Sequence, residues 1–389
     1  MELSEVIEAY FDCRHNKRNT ANQLRFEMDY EHECISLWED INNRTYEPGR
    51  SIAFVVEHPV KREIFAADFR DRVVHHIIAR RIYPLLERQF ILDSYSTQKG
   101  KGTLFGINRV EQHIRDCSQC YTRDCYILKC DIQGFFMSIS KERLYDTVMC
   151  FLRGKYEGED LQLLEYLLCK TIYNRPELNC ILKMPRRRWN GLPQNKSLFG
   201  TDGTHGLPIG NLTSQLLALL FLDELDHRIR DEWGVRHYGR YVDDMVLIHP
   251  SKQKLMDVYR KMCQWLSEHG LRMHPRKFYL QHYAKGVMFV GGMVKPGRKY
   301  ISHRTIGRMF AQINHYNMLL TGCRKLTGRQ TDAMVATMNS YLGMMCHYRS
   351  QRLFRRMLGR VSAEWYRYVY FSRRADRTKM VVRKKAAIP

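Results

Sequence analysis

The sequence predicts an α+β fold, and three observations support this class. Short apolar stretches typical of strands alternate with helical hydrophobic periods from Ser51 to Val294. After Ser302 the pattern is helical and rich in Lys and Arg. No internal repeat and no Gly/Ser-rich linker divides the chain into independent parts. We therefore expect a mixed α+β core with an appended helical module.

The expected elements follow from the hydrophobic spacing along the chain. The residues up to about Tyr46 have helical periodicity. The Gly-, Pro- and Asn-rich residues from Tyr173 to Thr204 predict irregular structure. The other expected elements are, in order, a strand pair at Ser51 to Pro59 and Arg62 to Phe69, a helix at Val74 to Leu86, a strand at Tyr126 to Ile139 that ends in a turn, a helix from Lys141, a helix at Ser214 to Ile229, a hairpin at Tyr238 to Pro250, a helix ending near Ser267 and a strand region at Gly286 to Val294.

The composition indicates a polyanionic partner. The chain has 389 residues, 44% of them hydrophobic, which is enough to build about two or three subdomains. Lys and Arg number 63 against 41 Asp and Glu, a net charge of +22, and residues 301–389 alone contain 18 Lys and Arg against 3 Asp and Glu. Nucleic acid is the commonest partner of such a region. A membrane partner is not expected, because no long apolar span, signal peptide or lipidation motif is present.

The cysteines are scattered, and we expect reduced thiols in a cytoplasmic protein. Cys117, Cys120, Cys125 and Cys130 have the spacing of a small zinc knuckle. However, the stretch CYILKC alternates like a strand and continues directly into Asp131, so folding it around a metal would destroy that strand. No zinc is therefore expected.

Two adjacent carboxylates, Asp243 and Asp244, follow Tyr241 and Val242 in the apolar stretch YVDDMVLI. One explanation is a hairpin turn, in which Asp is a favoured residue. The other is a shared cation, because neighbouring unpaired carboxylates favour protonation. Asp131 supplies a third carboxylate at the end of the strand YILKC. Three carboxylates at strand ends would form a site for two Mg²⁺ ions, which activate a primer 3′-hydroxyl and stabilise the leaving pyrophosphate.

The stretch GLPIGNLTSQ, Gly206 to Gln215, lies between these two strands in sequence. Its glycines and Pro208 predict a tight turn, and Thr213 or Ser214 is expected to cap the helix that follows. A simple loop with a helix cap is one interpretation. The other places this turn under the templating base pair of a nucleic-acid polymerase.

Together these motifs resemble those of reverse transcriptases over roughly residues 46–294. DIQGFF, GLPIGNLTSQ, YVDD, HGLRMHPRK and MFVGG occur in the order of that family's palm motifs, and REIFAADFRDRVVHH and DSYSTQKGKGT resemble fingers motifs of its bacterial branch. The Ser214–Gln215 pair, with GRSIAFVVEHP and FRDRVVHH, is most similar to reverse transcriptases of diversity-generating retroelements. Those enzymes copy an RNA template repeat into cDNA that is mutated at adenines.

The resemblance implies a right-hand polymerase fold with fingers, a palm with an antiparallel sheet and a helical thumb. The expected domains are an N-terminal helical extension at residues 1–46, fingers at 47–125, a palm at 126–300 with a fingers-type insertion at about 150–205, and a basic helical thumb and tail at 301–389. The final segment lacks the spaced carboxylates of a ribonuclease H and the His/Cys pattern of an HNH endonuclease.

The resemblance also implies roles for individual residues. Asp131, Asp243 and Asp244 match the catalytic metal-binding carboxylates, and Ile132 matches the residue that offers a backbone carbonyl to the metal. Phe136 matches the bulky gate that excludes a ribose 2′-hydroxyl. Further positions match a nucleotide-binding set of Lys61, Arg62, Ile209, Gly210, Gln215 and Lys277, a primer grip of Phe289, Val290, Gly291 and Gly292, and nucleic-acid contacts at Lys101, Arg352, Arg355 and Arg356. Lys61 and Arg62 also fit ordinary surface charges, and FVGG also fits a bulged strand.

The expected activity is error-prone RNA-directed DNA synthesis in a diversity-generating retroelement, with two Mg²⁺ ions or alternatively Mn²⁺. The expected partners are template RNA, the cDNA/RNA duplex, deoxynucleoside triphosphates and a small basic helical accessory protein, in the cytoplasm of a bacterium or a phage host. A retron-like or phage-defence reverse transcriptase is the alternative enzyme. A non-catalytic RNA-binding protein that keeps the fold is the alternative from another class.

Overall fold

The computed structural model describes residues 1–15, 19–57, 60–321, 325–374 and 377–383. The described residues contain α-helices and β-strands throughout. The helices are α1 Leu3–Arg14, α2 Ala21–Glu27, α3 Tyr30–Asn42, α4 Phe69–Gln89, α5 Thr103–Cys117, α6 Phe135–Ser138, α7 Lys141–Lys155, α8 Leu161–Ile172, α9 Leu212–Phe221, α10 Asp223–His227, α11 Lys252–Glu268, α12 His303–Thr321, α13 Gly328–Met345 and α14 Gln351–Leu358. The strands are β1 Ser51–Val56, β2 Arg62–Ala66, β3 Tyr126–Asp131, β4 Cys180–Leu182, β5 His237–Tyr241, β6 Asp244–His249, β7 Tyr279–His282, β8 Val287–Phe289, β9 Gly292–Lys295, β10 Arg298–Ile301, β11 Val369–Arg374 and β12 Arg377–Val382.

The chain divides into two units. The first contains Met1–Gly102 and Leu128–Tyr279, and the second contains Thr103–Ile127 and the described residues from Leu280 onward. In the first unit, β1 pairs antiparallel with β2 and parallel with β4, and β5, β6 and β3 are neighbours in that order in another sheet. Helix α4 contacts both α1 and α9. The antiparallel strand pair predicted at Ser51 to Pro59 and Arg62 to Phe69 is therefore confirmed for the residues described.

In the second unit, β8, β9 and β10 form an antiparallel sheet, and α12 to α14 pack around a core that includes Met334, Met338 and Trp365. The expectation of a purely helical tail was wrong, because β11 and β12 pair antiparallel near its end. Val369, Phe371, Met380 and Val382 occupy alternate positions of these strands, so a hairpin can place them on one face. No described helix has the length and hydrophobicity needed to cross a bilayer.

The helix predicted at Ser214 to Ile229 begins earlier and is interrupted. α9 starts at Leu212 after Asn211, so Thr213 and Ser214 lie in its first turn and the expectation that one of them caps it was wrong. The Asn211 side chain accepts a hydrogen bond from the Ala67 amide at 3.3 Å and thereby ties the start of α9 to the residue after β2.

His75 is a buried residue of α4 that gives a testable pH dependence. Burial, with the charges of His76 and Arg72 adding to it, lowers the pKa of His75 to about 3. The unfolded chain therefore binds a proton at higher pH than the folded chain, so this contribution to stability is complete above about pH 6.5 and decreases as the pH falls toward 3. Between pH 7 and pH 5 the loss should be about 2 kcal/mol.

We expect His75→Leu to remove about that much of the wild-type protein's pH dependence, measured as the free energy of urea unfolding at pH 7 and pH 5. His32→Leu is the control, because His32 is exposed in the folded protein. Equal pH dependence in wild type and His75→Leu would contradict the assignment.

Candidate catalytic site

A two-residue turn in the β5–β6 hairpin presents the paired carboxylates. Tyr241 pairs with Asp244 across the hairpin, so Val242 and Asp243 form the turn. Val242 has φ of 58°, a left-handed conformation that is strained for a β-branched residue. The two interpretations of the adjacent carboxylates are thus compatible, because Asp243 lies in the hairpin turn, Asp244 begins β6, and the turn lies beside a third carboxylate.

That third carboxylate is Asp131, the last residue of β3, which is next to β6 in the sheet. The Ile132 amide donates a hydrogen bond to the Asp243 carbonyl at 3.3 Å, which joins the end of β3 to the turn. The prediction that residues separated by more than a hundred positions meet at strand ends is therefore confirmed for Asp131 and Asp243.

The three carboxylates lie close enough for their charges to affect the ionisation of Asp243 and Asp244. Burial raises the pKa of Asp243 to about 6, and the negative charges of Asp131 and Asp244 contribute to the rise. Burial also raises the pKa of Asp244, whereas the neighbouring Lys129 ammonium opposes the shift. Partly dehydrated carboxylates of this kind favour a bound cation over protonation when a cation is present.

Two lysines pair with these carboxylates. Lys277 Nζ lies 2.7 Å from Asp131 Oδ2, and Lys129 Nζ lies 3.1 Å from Asp244 Oδ1. Among the residues that the structure describes, no group of three His, Cys, Asp or Glu side chains is already arranged around a metal position. The donor set of carboxylate oxygens and a backbone carbonyl fits Mg²⁺, whereas the present side-chain positions are those of ion-paired carboxylates.

A fully buried ion pair supports the strained turn through a hydrogen bond to its backbone. The side chains of Arg240 and Asp226 are both 0% exposed, and Arg240 Nε donates to Asp226 Oδ1 at 2.7 Å. Arg240 Nη1 donates to the Val242 carbonyl at 3.0 Å, and the Tyr238 hydroxyl donates to Asp226 at 2.6 Å. Arg240 therefore fixes the carbonyl of the turn residue that precedes the two carboxylates.

Phe136 and Ile209, predicted to contact the incoming nucleotide, belong to one hydrophobic cluster. Both are partly buried and pack against a core that includes Phe65, Trp189 and Leu198. Ile209 therefore packs under the turn, and this packing is compatible with a nucleotide contact because part of its side chain stays exposed. Phe135, one residue before Phe136, is buried and is not available as a gate.

The turn around Gly210 requires glycine. Gly210 has φ of 122°, and a Cβ at this position would lie 2.9 Å from Cγ2 of Ile64. The Phe65 amide donates to the Ile209 carbonyl at 3.0 Å, so this turn is attached to β2. Gln215, in the first turn of α9, is exposed and accepts a hydrogen bond from Thr97 at 3.1 Å.

The predicted cations of the first unit have different surroundings. Arg62 is exposed at the start of β2, and Lys61 donates to the Asn190 carbonyl at 2.7 Å. The Lys101 ammonium donates to backbone carbonyls that include Leu92 at 2.9 Å and Ser94 at 3.3 Å. Lys101 therefore holds a loop, and its contact with nucleic acid stays a prediction.

The predicted primer grip is a tight hairpin turn in the second unit and not a bulge. Phe289 pairs with Gly292, and the intervening Val290 and Gly291 have φ of 38° and 91°. Positive φ at both central residues is the pattern of a type I′ turn, which suits the twist of a hairpin. A Cβ on Gly292 would lie 2.6 Å from Cδ1 of Ile107, so any larger residue there would require the Ile107 side chain to shift.

The predicted nucleic-acid arginines lie on α14 in the same unit. Arg352, Arg355 and Arg356 are exposed, and they line a cavity of about 990 Å³ together with Lys299 and Arg349. A basic cavity of this kind fits a phosphate backbone.

We expect Arg352→Gln, Arg355→Gln and Arg356→Gln together to weaken nucleic-acid binding and to reduce its salt dependence by about three units of log–log slope, about one per lost contact. Fluorescence anisotropy of an RNA/DNA duplex at salt concentrations from about 50 to about 300 mM would measure this affinity and its salt dependence. An unchanged slope would mean that this helix faces protein or solvent.

Several residues that organise the site were not predicted. Lys129 lies two positions before Asp131 in a strand, so strand alternation alone would have placed both side chains on one face. Arg240, in the middle of a buried strand, was a detectable anomaly because a buried guanidinium requires a partner. That partner, Asp226, lies on another element and had no sequence signal of its own.

Comparison with known proteins shows distant similarity to two curated proteins and to one solved structure. The chain is 22% identical over 277 residues to Protein YkfC of Escherichia coli (strain K12), covering 63% of this chain and 66% of that protein. It is 25% identical over 134 residues to the Gag-Pro-Pol polyprotein of Mouse mammary tumor virus (strain BR6), covering 34% of this chain and 6% of the polyprotein. The apo telomerase from Candida tropicalis, truncated from the C-terminal domain, has a TM-score of 0.46 at 12% identity and covers 69% of this chain and 60% of that one.

The chain thus spans less than two thirds of the length of each of these proteins. A family model described as reverse transcriptase (RNA-dependent DNA polymerase) matches residues 61–294, which are more than half of the chain. This match and the mixed helices and strands of the structure confirm the predicted fold class, an α+β right-hand polymerase fold. The chain belongs to the reverse transcriptase family.

Proposed function

We propose that this protein is an RNA-directed DNA polymerase that makes error-prone, adenine-mutated cDNA for a diversity-generating retroelement. The observation that supports polymerisation most strongly is the convergence of Asp131, Asp243 and Asp244 at the ends of neighbouring strands, in a setting that raises the pKa of Asp243. The support for the retroelement type is the similarity of Ser214–Gln215 and of the fingers motifs to that branch of the family.

In this mechanism Asp131, Asp243 and Asp244 would hold Mg²⁺, with the Ile132 carbonyl as a further ligand. The metal supplies charge stabilisation for the attacking and leaving oxygens. Lys277 and Lys129, which pair with Asp131 and Asp244 in the structure, would supply positive charge beside this site, and the family resemblance implies that Lys277 would lie near the leaving pyrophosphate. Phe136 excludes a 2′-hydroxyl from the nucleotide site by its bulk.

The proposal is tested by primer extension with purified protein on RNA and on DNA templates of the same sequence. We expect deoxynucleotide incorporation on RNA that depends on Mg²⁺ or Mn²⁺, and much weaker incorporation of ribonucleotides. No extension on either template, while RNA still binds, would favour the non-catalytic RNA-binding protein. Accurate copying of adenine would favour the retron-like or phage-defence alternative.

The proposed partners follow from the same assignment. Template RNA and the cDNA/RNA duplex would bind the basic surfaces, and a small basic helical accessory protein would assist in the cytoplasm of a bacterium or phage host. Co-purification with such a protein, encoded next to this chain and to a near-repeat that differs at adenines, would support the retroelement type.

Ile209 gives a prediction about accuracy. Its aliphatic side chain has no hydrogen-bond donor or acceptor for the nucleotide, and sites that discriminate by hydrogen bonds reject mispairs because buried polar groups are left unpaired. We expect Ile209→Gln to raise both catalytic efficiency and fidelity opposite template adenine. Sequencing of cDNA made by wild type and variant on one template measures both error rates, and Ile209→Val serves as the control. Equal adenine error rates would show that the cause of infidelity lies elsewhere.

A further inference from the structure

The segment from Leu178 to Thr201 has an unusual charge composition. It contains five Lys and Arg residues and no Asp or Glu. We call this segment the basic insertion. All five cations are exposed, namely Lys183, Arg186, Arg187, Arg188 and Lys196. Arg186 to Trp189 form a 3₁₀ turn, in which successive side chains project in directions about 120° apart, so the three arginines spread over a broad surface.

A buried carboxylate attaches the basic insertion to β2. Glu63 is 1% exposed. Its Oε2 accepts hydrogen bonds from Trp189 Nε1 and Ser197 Oγ, both at 2.7 Å, and its Oε1 accepts one from the Leu198 amide at 2.6 Å. Three donors therefore satisfy this carboxylate without a cation, and they fix two separate points of the insertion.

Because Glu63 bonds only uncharged donors, it does not neutralise the cations of the basic insertion, and they remain available for a ligand. The Arg186 guanidinium lies 3.8 Å from the ring centroid of Phe199, which holds it in place without neutralising it. Arg188 has a partly exposed partner, Glu57, at 3.1 Å. Within the described part of the chain, no ion pair involves Arg186, Arg187 or Lys196.

The basic insertion lies beside the predicted nucleotide site. Trp189 and Leu198 belong to the hydrophobic cluster that Phe136 and Ile209 pack against. The hydrogen bond from Lys61 to Asn190 joins the insertion's surface to the cations at the start of β2. The basic insertion therefore adjoins the residues that are predicted to contact the incoming nucleotide.

We propose that the basic insertion binds the single-stranded RNA template ahead of the templating base, through its phosphates. This proposal rests on the proposed polymerase function. Five exposed cations across a broad surface exceed what one nucleoside triphosphate can contact, whereas a single strand offers a phosphate at every nucleotide. The fixed arginines bind the backbone without reading the sequence.

The first test uses Arg186→Gln, Arg187→Gln and Lys196→Gln together. Arg153→Gln, Lys252→Gln and Arg260→Gln remove the same charge from exposed positions elsewhere in the same unit. The probes are a labelled, unstructured oligouridine and a primer–template duplex with and without a 5′ RNA overhang. We expect the insertion variant to lose about tenfold in affinity for the oligouridine, and about two units of salt slope, because single strands contribute about 0.7 per contact.

For the primer–template, we expect the insertion variant to bind the overhang substrate more weakly than the control variant does, and the blunt duplex equally well. Equal affinities of the two variants for the oligouridine and for the overhang substrate would overturn the proposal. A raised KM for nucleotide with unchanged RNA affinity would also overturn it and would assign these cations to the triphosphate.

The second test separates positioning from total charge. Glu63→Gln removes a negative charge, so charge alone predicts tighter RNA binding. In our proposal binding instead becomes at least about threefold weaker, because an amide cannot accept from all three donors and the insertion loses its fixed position. Thermal unfolding confirms that the variant is folded, and the exposed-cation variants remain decisive if it is not.

These binding measurements need no catalysis. A wild-type protein that extends primers while the insertion variant binds RNA as the control does would overturn this proposal and leave the proposed function intact. A wild-type protein that never extends primers, but whose RNA affinity depends on the insertion, would overturn the polymerase function alone.

Discussion

Replacing Asp243 with Asn should reduce primer extension by about a thousandfold or more while RNA binding stays within about twofold of wild type. The amide keeps the size of the side chain but removes a charge from the group formed with Asp131 and Asp244. A metal ion at this position contributes several kcal/mol of transition-state stabilisation, and each 1.4 kcal/mol corresponds to about tenfold in rate. Single-turnover extension on a primed RNA template measures the loss.

Asp124→Asn is the matched control, because the Asp124 side chain is 80% exposed. It should leave extension unchanged. Extension by Asp243→Asn at a rate close to that of wild type would exclude a catalytic role for this carboxylate. Loss of RNA binding together with activity would show that the substitution damages the fold, and the thermal unfolding midpoint would then fall as well.

The second large effect is expected from Arg240→Met. Removing the guanidinium leaves Asp226 buried without its ionic partner, and breaking a buried pair from one side costs about 3–5 kcal/mol. The substitution also removes the donor to the Val242 carbonyl, so the strained turn formed by Val242 and Asp243 loses a hydrogen bond that holds it. Urea unfolding followed by tryptophan fluorescence, to which the buried Trp233 and Trp265 contribute, measures the loss of stability.

The double variant Arg240→Met with Asp226→Leu distinguishes the two consequences. Replacing both charges by apolar side chains should restore most of the stability. It should not restore primer extension, because nothing then holds the Val242 carbonyl. Recovery of full activity in the double variant would show that Arg240 contributes only to stability and does not position the turn.

The sequence by itself determined the class of fold and the identity of the catalytic candidates. Alternating apolar residues that end in Asp131, and an apolar stretch interrupted by Asp243 and Asp244, are local patterns, because strand periodicity and turn preference depend on adjacent residues. The order of the motifs was sufficient for the family, which the match over residues 61–294 confirms. For Phe289 to Gly292 the sequence left two interpretations open, a loop that grips the primer and a bulged strand, because a tight turn and a bulge have the same composition.

Only the tertiary structure decided which polar groups meet across the chain. Lys129 and Lys277 pair with different carboxylates, and Arg240 reaches both Asp226 and the Val242 carbonyl, because the strands and helices that hold them pack together. Glu63 has no distinguishing mark in the sequence, yet in the structure it holds Trp189, Ser197 and Leu198. Contacts between residues distant in the chain depend on loop paths and packing, and a single sequence has no local pattern that specifies them.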